Sequence, residues 1–261
     1  MFVRRLWVFV VLTAFGCGAQ ELTIAAASDL QFALPEIVSA FEQQHPGQKV
    51  RVVFGSSGNF LAQIQNDAPF DVFLSADVEY PRRLEDAGLT KKDSLYVYGV
   101  GRIVVLAARP RMVDVKREGL PALARRGFKR IAIANPSHAP YGRAAKAALQ
   151  KAGVWDAVKD KIVTGENISQ AVHFVRSGNA EAGIVALSMV LSPRMGIEYE
   201  HWVVPQELYP ELQQAAVILK ASKHTKSADE FVAFLKSDTG QKILKTFGFV
   251  PPQPKQEIGK P

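Results

Sequence analysis

Cysteine is almost missing: the 261-residue chain has one, Cys17, and it falls in a segment that reads as a leader. A body without cysteine forms no disulfide, offers no thiolate nucleophile and holds no cysteine-ligated zinc. Histidine is sparse as well. His45, His138, His173, His201 and His224 make no i, i+4 pair, so a helix-borne metal site is not expected. Nor is there a basic run interleaved with stacking aromatics; lysine and arginine recur among acids, and a formal net charge of +7 reads as a solvated surface rather than a nucleic-acid footprint. Gly55-Ser56-Ser57-Gly58 has neither the lysine of a phosphate loop nor the form of a nucleophile elbow, and Gly99-Val100-Gly101 lacks the third glycine of a dinucleotide fingerprint. With 48% hydrophobic and 22% charged residues, the chain is neither disordered, collagen-like nor a coiled coil.

What is present begins with export. Arg4 and Arg5, the apolar run Trp7–Phe15 and the small residues Gly16 to Ala19 follow the order of a secretory signal peptide, and the run is shorter than the ~20 residues of a spanning helix. Cleavage after Ala19 takes the net charge from +7 to +5, since residues 1–19 hold two arginines and no acid. Lipidation at Cys17 is the alternative; Ala14-Phe15-Gly16 is a poor version of that signal.

The body alternates strands with helices. Leu22–Ala26 reads as a strand, with a helix through Leu34, Ile37, Val38 and Phe41 that stops at Pro46-Gly47. Val50–Phe54 and Asp71–Ser75 repeat the unit. Leu95–Ala108 is too long for one ordinary strand and carries two glycines, which predicts a bend into a second body. There, strands over 130–134, 161–164 and 183–187 alternate with helices over 143–152 and 168–177. A run over 213–219 leads to terminal helices over 228–235 and 240–247. Such alternation implies mostly parallel sheets with helices on both faces, and two bodies joined by two extended crossings leave a cleft between them.

Ligands of open α/β sheets sit beyond the carboxyl ends of strands, so the loops there are informative. Four of them carry small, hydroxyl or amide residues ahead of a helix: Ala27-Ser28-Asp29, Gly55-Ser56-Ser57-Gly58, Ala139-Pro140-Tyr141-Gly142 and Gly165-Glu166-Asn167-Ile168. Taken singly, each reads as a helix cap worth ~1 kcal/mol. Taken together, converging helix starts would form an anion site from unpaired N–H groups without any cation. Neutral donors alone suit a fully ionised tetrahedral dianion, because they offer a protonated ligand no acceptor. Asp29 and Glu166 would repel such an ion, so both are expected to point outward or cap their helices. His138 reads as a structural loop histidine, and Asp71 and Asp77 as loop-ordering acids.

Seven blocks, LTIAAASDL, FGSSGNFLAQI, FDVFLSAD, NPSHAPYGRAAKAALQKAGVWD, GENISQAV, AGIVALSMVLSP and KTFGFV, span the mature chain in order and resemble the periplasmic molybdate-binding proteins of ATP-driven molybdate import. The resemblance implies a two-lobed type II periplasmic binding protein fold, each lobe a mixed, mostly parallel sheet flanked by helices, with two hinge crossings. Residues 20–101 and 214–250 would form lobe I, residues 102–213 lobe II, and residues 251–261 a loose tail. It implies no enzyme activity and no cofactor. The ligand would be molybdate or tungstate, the partners a membrane permease and its cytoplasmic ATPase, the working form a monomer without nucleic acid. Carried over by position, Ser28 and Ser57 would give hydroxyl and N–H groups, and Tyr141 and Ile168 backbone N–H groups. Some members place a ligand tyrosine where this chain has Ala186; the Tyr141 hydroxyl is expected to replace that donor. A sulfate or other oxyanion carrier is the alternative, whereas a transcription regulator would need a helix-turn-helix ahead of the first strand.

Overall fold

A computed structural model describes residues 20–108, 114–196 and 198–252. The expected leader with Cys17, and most of the expected tail, lie outside the described residues. Ten strands form two five-stranded sheets. The first holds β1 (Gln20–Ala27), β2 (Gln48–Gly55), β3 (Val72–Ser75) and β4 (Tyr96–Gly101) with β10 (Leu212–Ile218), in the order β2-β1-β3-β10-β4. The second holds β5 (Ile103–Ala108), β6 (Ile131–Ala134), β7 (Ile162–Gly165), β8 (Ala182–Ala186) and β9 (Tyr199–Val203), in the order β7-β6-β8-β5-β9. Each order has the same logic. Three neighbouring strands run parallel, and one strand, β10 or β5, is inserted against them antiparallel and carries the last strand on its far side.

Helices cover the sheets: α1 (Ala33–Gln44), α2 (Ser57–Gln65), α3 (Glu79–Asp86), α4 (Val115–Glu118), α5 (Pro140–Lys151), α6 (Trp155–Val158), α7 (Ile168–Arg176), α8 (Leu187–Val190), α9 (Thr225–Lys236) and α10 (Asp238–Thr246). The pleat of β1 sends Leu22, Ile24 and Ala26 into a cluster with Ile37, Phe41 and Phe231, while Ala25 faces Phe60, Phe73 and Leu84 on the other side. A sheet buried on both faces cannot alternate polar and apolar residues, which is why Ile103–Ala107 is apolar and fully buried throughout.

The expected long strand over 95–108 is two strands that break at Arg102 and belong to different sheets. The return passes from β9 through the 3-10 turn Gln206–Leu208 into β10. These are the two crossings. The second core also takes in Ala27 and Ala76 from the first lobe, so the lobes are packed against each other at the strand ends.

Candidate anion-binding site

Where β1, β2, β6 and β7 end, the chain turns into a helical segment each time, and the four turns meet. After β1 a 3-10 turn starts at Ser28; after β2, α2 starts at Ser57; ahead of α5 stands Ala139, and ahead of α7 Asn167. The small pocket where they meet is lined by Ser28, Ser57, Tyr141 and Ile168, together with Asp29, Ser56, Pro140, Asn167 and the small residues Ala27, Gly55, Ala76 and Ala139. The four residues singled out from the sequence thus lie around one space. Among the described residues, no lysine, arginine or histidine lines it.

Local structure sets what each group can offer. Ser57 Oγ accepts a hydrogen bond from the Ala76 N–H at 3.0 Å, so its own proton stays available. Ser28 Oγ donates to the Gly55 carbonyl at 2.9 Å and must rotate before it serves an anion. Tyr141 and Ile168 occupy the first turns of α5 and α7, where N–H groups have no carbonyl one turn back. Proline at the start of α5 fits this position because its missing N–H would have been unpaired there anyway. The Asn167 side chain caps α7 by accepting from the Gln170 N–H at 3.1 Å, leaving the Ile168 N–H to the pocket.

Asp29 corrects the expectation that it points outward or caps its helix. It is 1% exposed and lines the pocket. Its Oδ2 accepts from the Tyr141 hydroxyl at 2.9 Å and from Gln214 Nε2 at 2.6 Å. Gln214 is fully buried on β10, and its Oε1 accepts from the Tyr98 hydroxyl at 2.8 Å. Burial costs a carboxylate more than these bonds return, which pushes Asp29 up to about 6. The Tyr141 hydroxyl has one proton, and Asp29 takes it. The hydroxyl expected to stand in for the donor missing at Ala186 is thus engaged by Asp29 in this structure, and Ala186 is buried opposite Ile103 in the sheet and does not line the pocket. Glu166, by contrast, does face outward, where Asn59 Nδ2 donates to it at 2.5 Å.

Several contacts that the sequence reading did not contain fasten the lobes around this pocket. His138 Nδ1 lies 2.9 Å from Ser56 Oγ, and the His138 carbonyl accepts from the Gly58 N–H at 2.9 Å. Arg143 on α5 donates to Asp77 Oδ2 at 2.5 Å and to the Tyr80 hydroxyl at 2.7 Å. Ser188 Oγ donates to the Asp29 carbonyl at 2.8 Å, and Ser169 bonds Gln31. Gln214 was the legible one: an amide in the middle of an apolar strand is a buried group in need of a partner. A larger hollow beside the pocket, about 390 Å³ and lined by Gln31, Phe32, His173 and Arg176 among others, is open and far roomier than a small ion requires.

Residues 22–250 match the family model of bacterial extracellular solute-binding proteins. A curated molybdate-binding protein of Azotobacter vinelandii is 40% identical over 249 residues, 95% of this chain and 97% of its own length. One from Rhodobacter capsulatus is 38% identical over 91% of each chain. Among solved structures, a periplasmic molybdate-binding protein of Azotobacter vinelandii superposes with a TM-score of 0.83 at 34% identity, covering 89% of this chain and all of the other. A sulfate-binding protein of Mycobacterium tuberculosis, at 18% identity and a TM-score of 0.72 over 90% and 88% of the two chains, shares the fold.

Proposed function

Because the chain belongs to the bacterial extracellular solute-binding protein family, we propose that it is an extracytoplasmic carrier that closes two lobes on molybdate or tungstate and hands the ion to a membrane permease driven by an ATPase. The observation that carries this reading is the meeting of four helix starts, drawn from both lobes, around one small pocket without a cationic side chain. The starts of α2, α5 and α7 each present partial positive charge near +0.5, and the short turn at Ser28 adds donors, so a dianion is held by many neutral groups rather than by one opposite charge.

Ser57 supplies a free hydroxyl proton, Ser28 a hydroxyl that rotates from the Gly55 carbonyl, and Tyr141 and Ile168 their backbone N–H groups. No cofactor enters. Lobe I comprises residues 20–101 and 214–250 and lobe II residues 102–213, so that Arg102 and the segment entering β10 act as hinges. Residues 1–19 serve as the export leader, and the carrier works as a monomer. Relatives near 40% identity that are named for molybdate favour that ion over sulfate.

Calorimetric titration of the body from residue 20 with molybdate, tungstate, sulfate and phosphate tests the reading. Molybdate and tungstate should bind tightly and sulfate much more weakly. Heat from sulfate with none from molybdate would overturn the ion assignment and leave the oxyanion carrier standing.

A further inference from the structure

A buried carboxyl on a residue that lines an anion pocket runs against the charge logic of the site, and its surroundings say how the conflict is resolved. Asp29 is held by groups from three directions: Tyr141 at the start of α5, Gln214 on β10, and Ser188 on α8 through the Asp29 carbonyl. Tyr98 on β4 stands behind Gln214, and Tyr209 with Arg102 lies beyond Tyr141. The two nearest phenols stay neutral, since burial and the Asp29 charge push both Tyr98 and Tyr141 well above the usual range. Among the described residues no cation touches the carboxyl. Its Oδ1 is buried without a side-chain partner, and the Asp29 and Leu30 N–H groups are the backbone donors that approach the carboxyl.

We propose that the pocket takes its oxyanion together with one proton from solvent, carried by Asp29, so that the closed site gains one negative charge rather than two. This rests on the oxyanion-carrier reading. The physical reason is mutual: a dianion confined beside a buried carboxylate raises that carboxylate's proton affinity, and protonation of the carboxylate strengthens the grip on the dianion by the same factor. Free Asp29 titrates at about 6, so near neutral pH it is mostly ionised before the ion arrives. Binding then pulls the proton on. Affinity rises as pH falls, by up to tenfold per pH unit between the titration point of the occupied site and about 6, and levels off below it.

The test is titration of the full mature protein with molybdate at pH 7.5 in two buffers of very different ionisation heat, which counts protons directly. The wild type should take up close to one, and Kd should weaken severalfold from pH 7 to pH 8. Asp29→Asn, which keeps an acceptor for Tyr141 and Gln214, should take up none and lose the pH slope. His138→Gln, which removes the ring bonded to Ser56, weakens binding through that lost contact between the lobes but should still take up one proton per bound ion. Molybdate binding by the wild type without proton uptake overturns the proposal, as does uptake that survives in Asp29→Asn. The wild-type count decides alone if the asparagine variant fails to fold. Absence of heat with every oxyanion would instead bring down the carrier reading and this inference with it.

Discussion

Ser57 is positioned by its own acceptor side. The Ala76 N–H occupies one lone pair of Oγ at 3.0 Å, which fixes the hydroxyl and leaves its proton facing the pocket it lines. Ser57→Ala removes that donor from a charged ligand, a loss of roughly 1.5–3 kcal/mol. Calorimetry should therefore find molybdate binding weaker by about 10- to 150-fold, and the unfolding temperature of the free protein should fall as well, because the buried Ala76 N–H loses its acceptor. Asp29 makes the opposite prediction for stability. Its acid is raised from 3.8 to about 6 in the folded chain, so the native state binds the proton more tightly than the unfolded one, and stability falls as pH rises through that window. The ligand-free Asp29→Asn protein should consequently melt above the wild type at pH 8, by at most about 3 kcal/mol equivalent, and lose that advantage near pH 4. Sequence reading reached the four loops because small and hydroxyl residues after strands are a local pattern, while the choice of Ser28, Ser57, Tyr141 and Ile168 within them came from the family resemblance. It misplaced Asp29 because nothing local says that Gln214, 185 positions away, comes to meet it.

At the scale of elements, the site depends on how closely helix starts can approach the opposite lobe. Gly58 lies in the first turn of α2, and a Cβ there would stand 2.6 Å from the His138 carbonyl oxygen and 3.0 Å from its Cα. Backbone on both sides leaves little room to yield. Gly58→Ala should hold the lobes slightly apart, and overpacking of 1–3 kcal/mol translates into about 5- to 150-fold weaker binding. Stopped-flow dissociation should carry most of the change, because the contact belongs to the closed form. The long helices were legible from their apolar spacing, within two or three residues at each end. β9 was not, since Tyr199–Val203 is half-buried along its whole length and includes Glu200 and His201, which blur the alternation. The break at Arg102 was equally hidden: β4 and β5 share one apolar run, and only the pairing of β4 with β10 and of β5 with β8 separates them.

For the whole molecule, closure couples ligand binding to stability. A ligand bound only by the folded state adds about 4 kcal/mol at a thousandfold excess over Kd. At ~2–4 °C per kcal/mol for a chain of this size, saturating molybdate should raise the melting temperature by roughly 8–16 °C in a thermal scan, and sulfate at the same concentration by much less. The fold class was readable because strand–helix alternation is a property of the whole chain. Which strand enters which sheet was only partly so, because the two antiparallel insertions depend on pairings between residues 75 or more positions apart.

The first sheet is stitched from both ends of the polypeptide: β10 lies between β3 and β4, yet almost the entire second lobe separates it from them in sequence. During synthesis, the edge of β3 must therefore wait, unpaired, until residue 218 has emerged, whereas the strands of the other sheet arrive in one uninterrupted stretch. The nascent chain is built to complete one half early and to remain threadable in the other until nearly the last helix has been made.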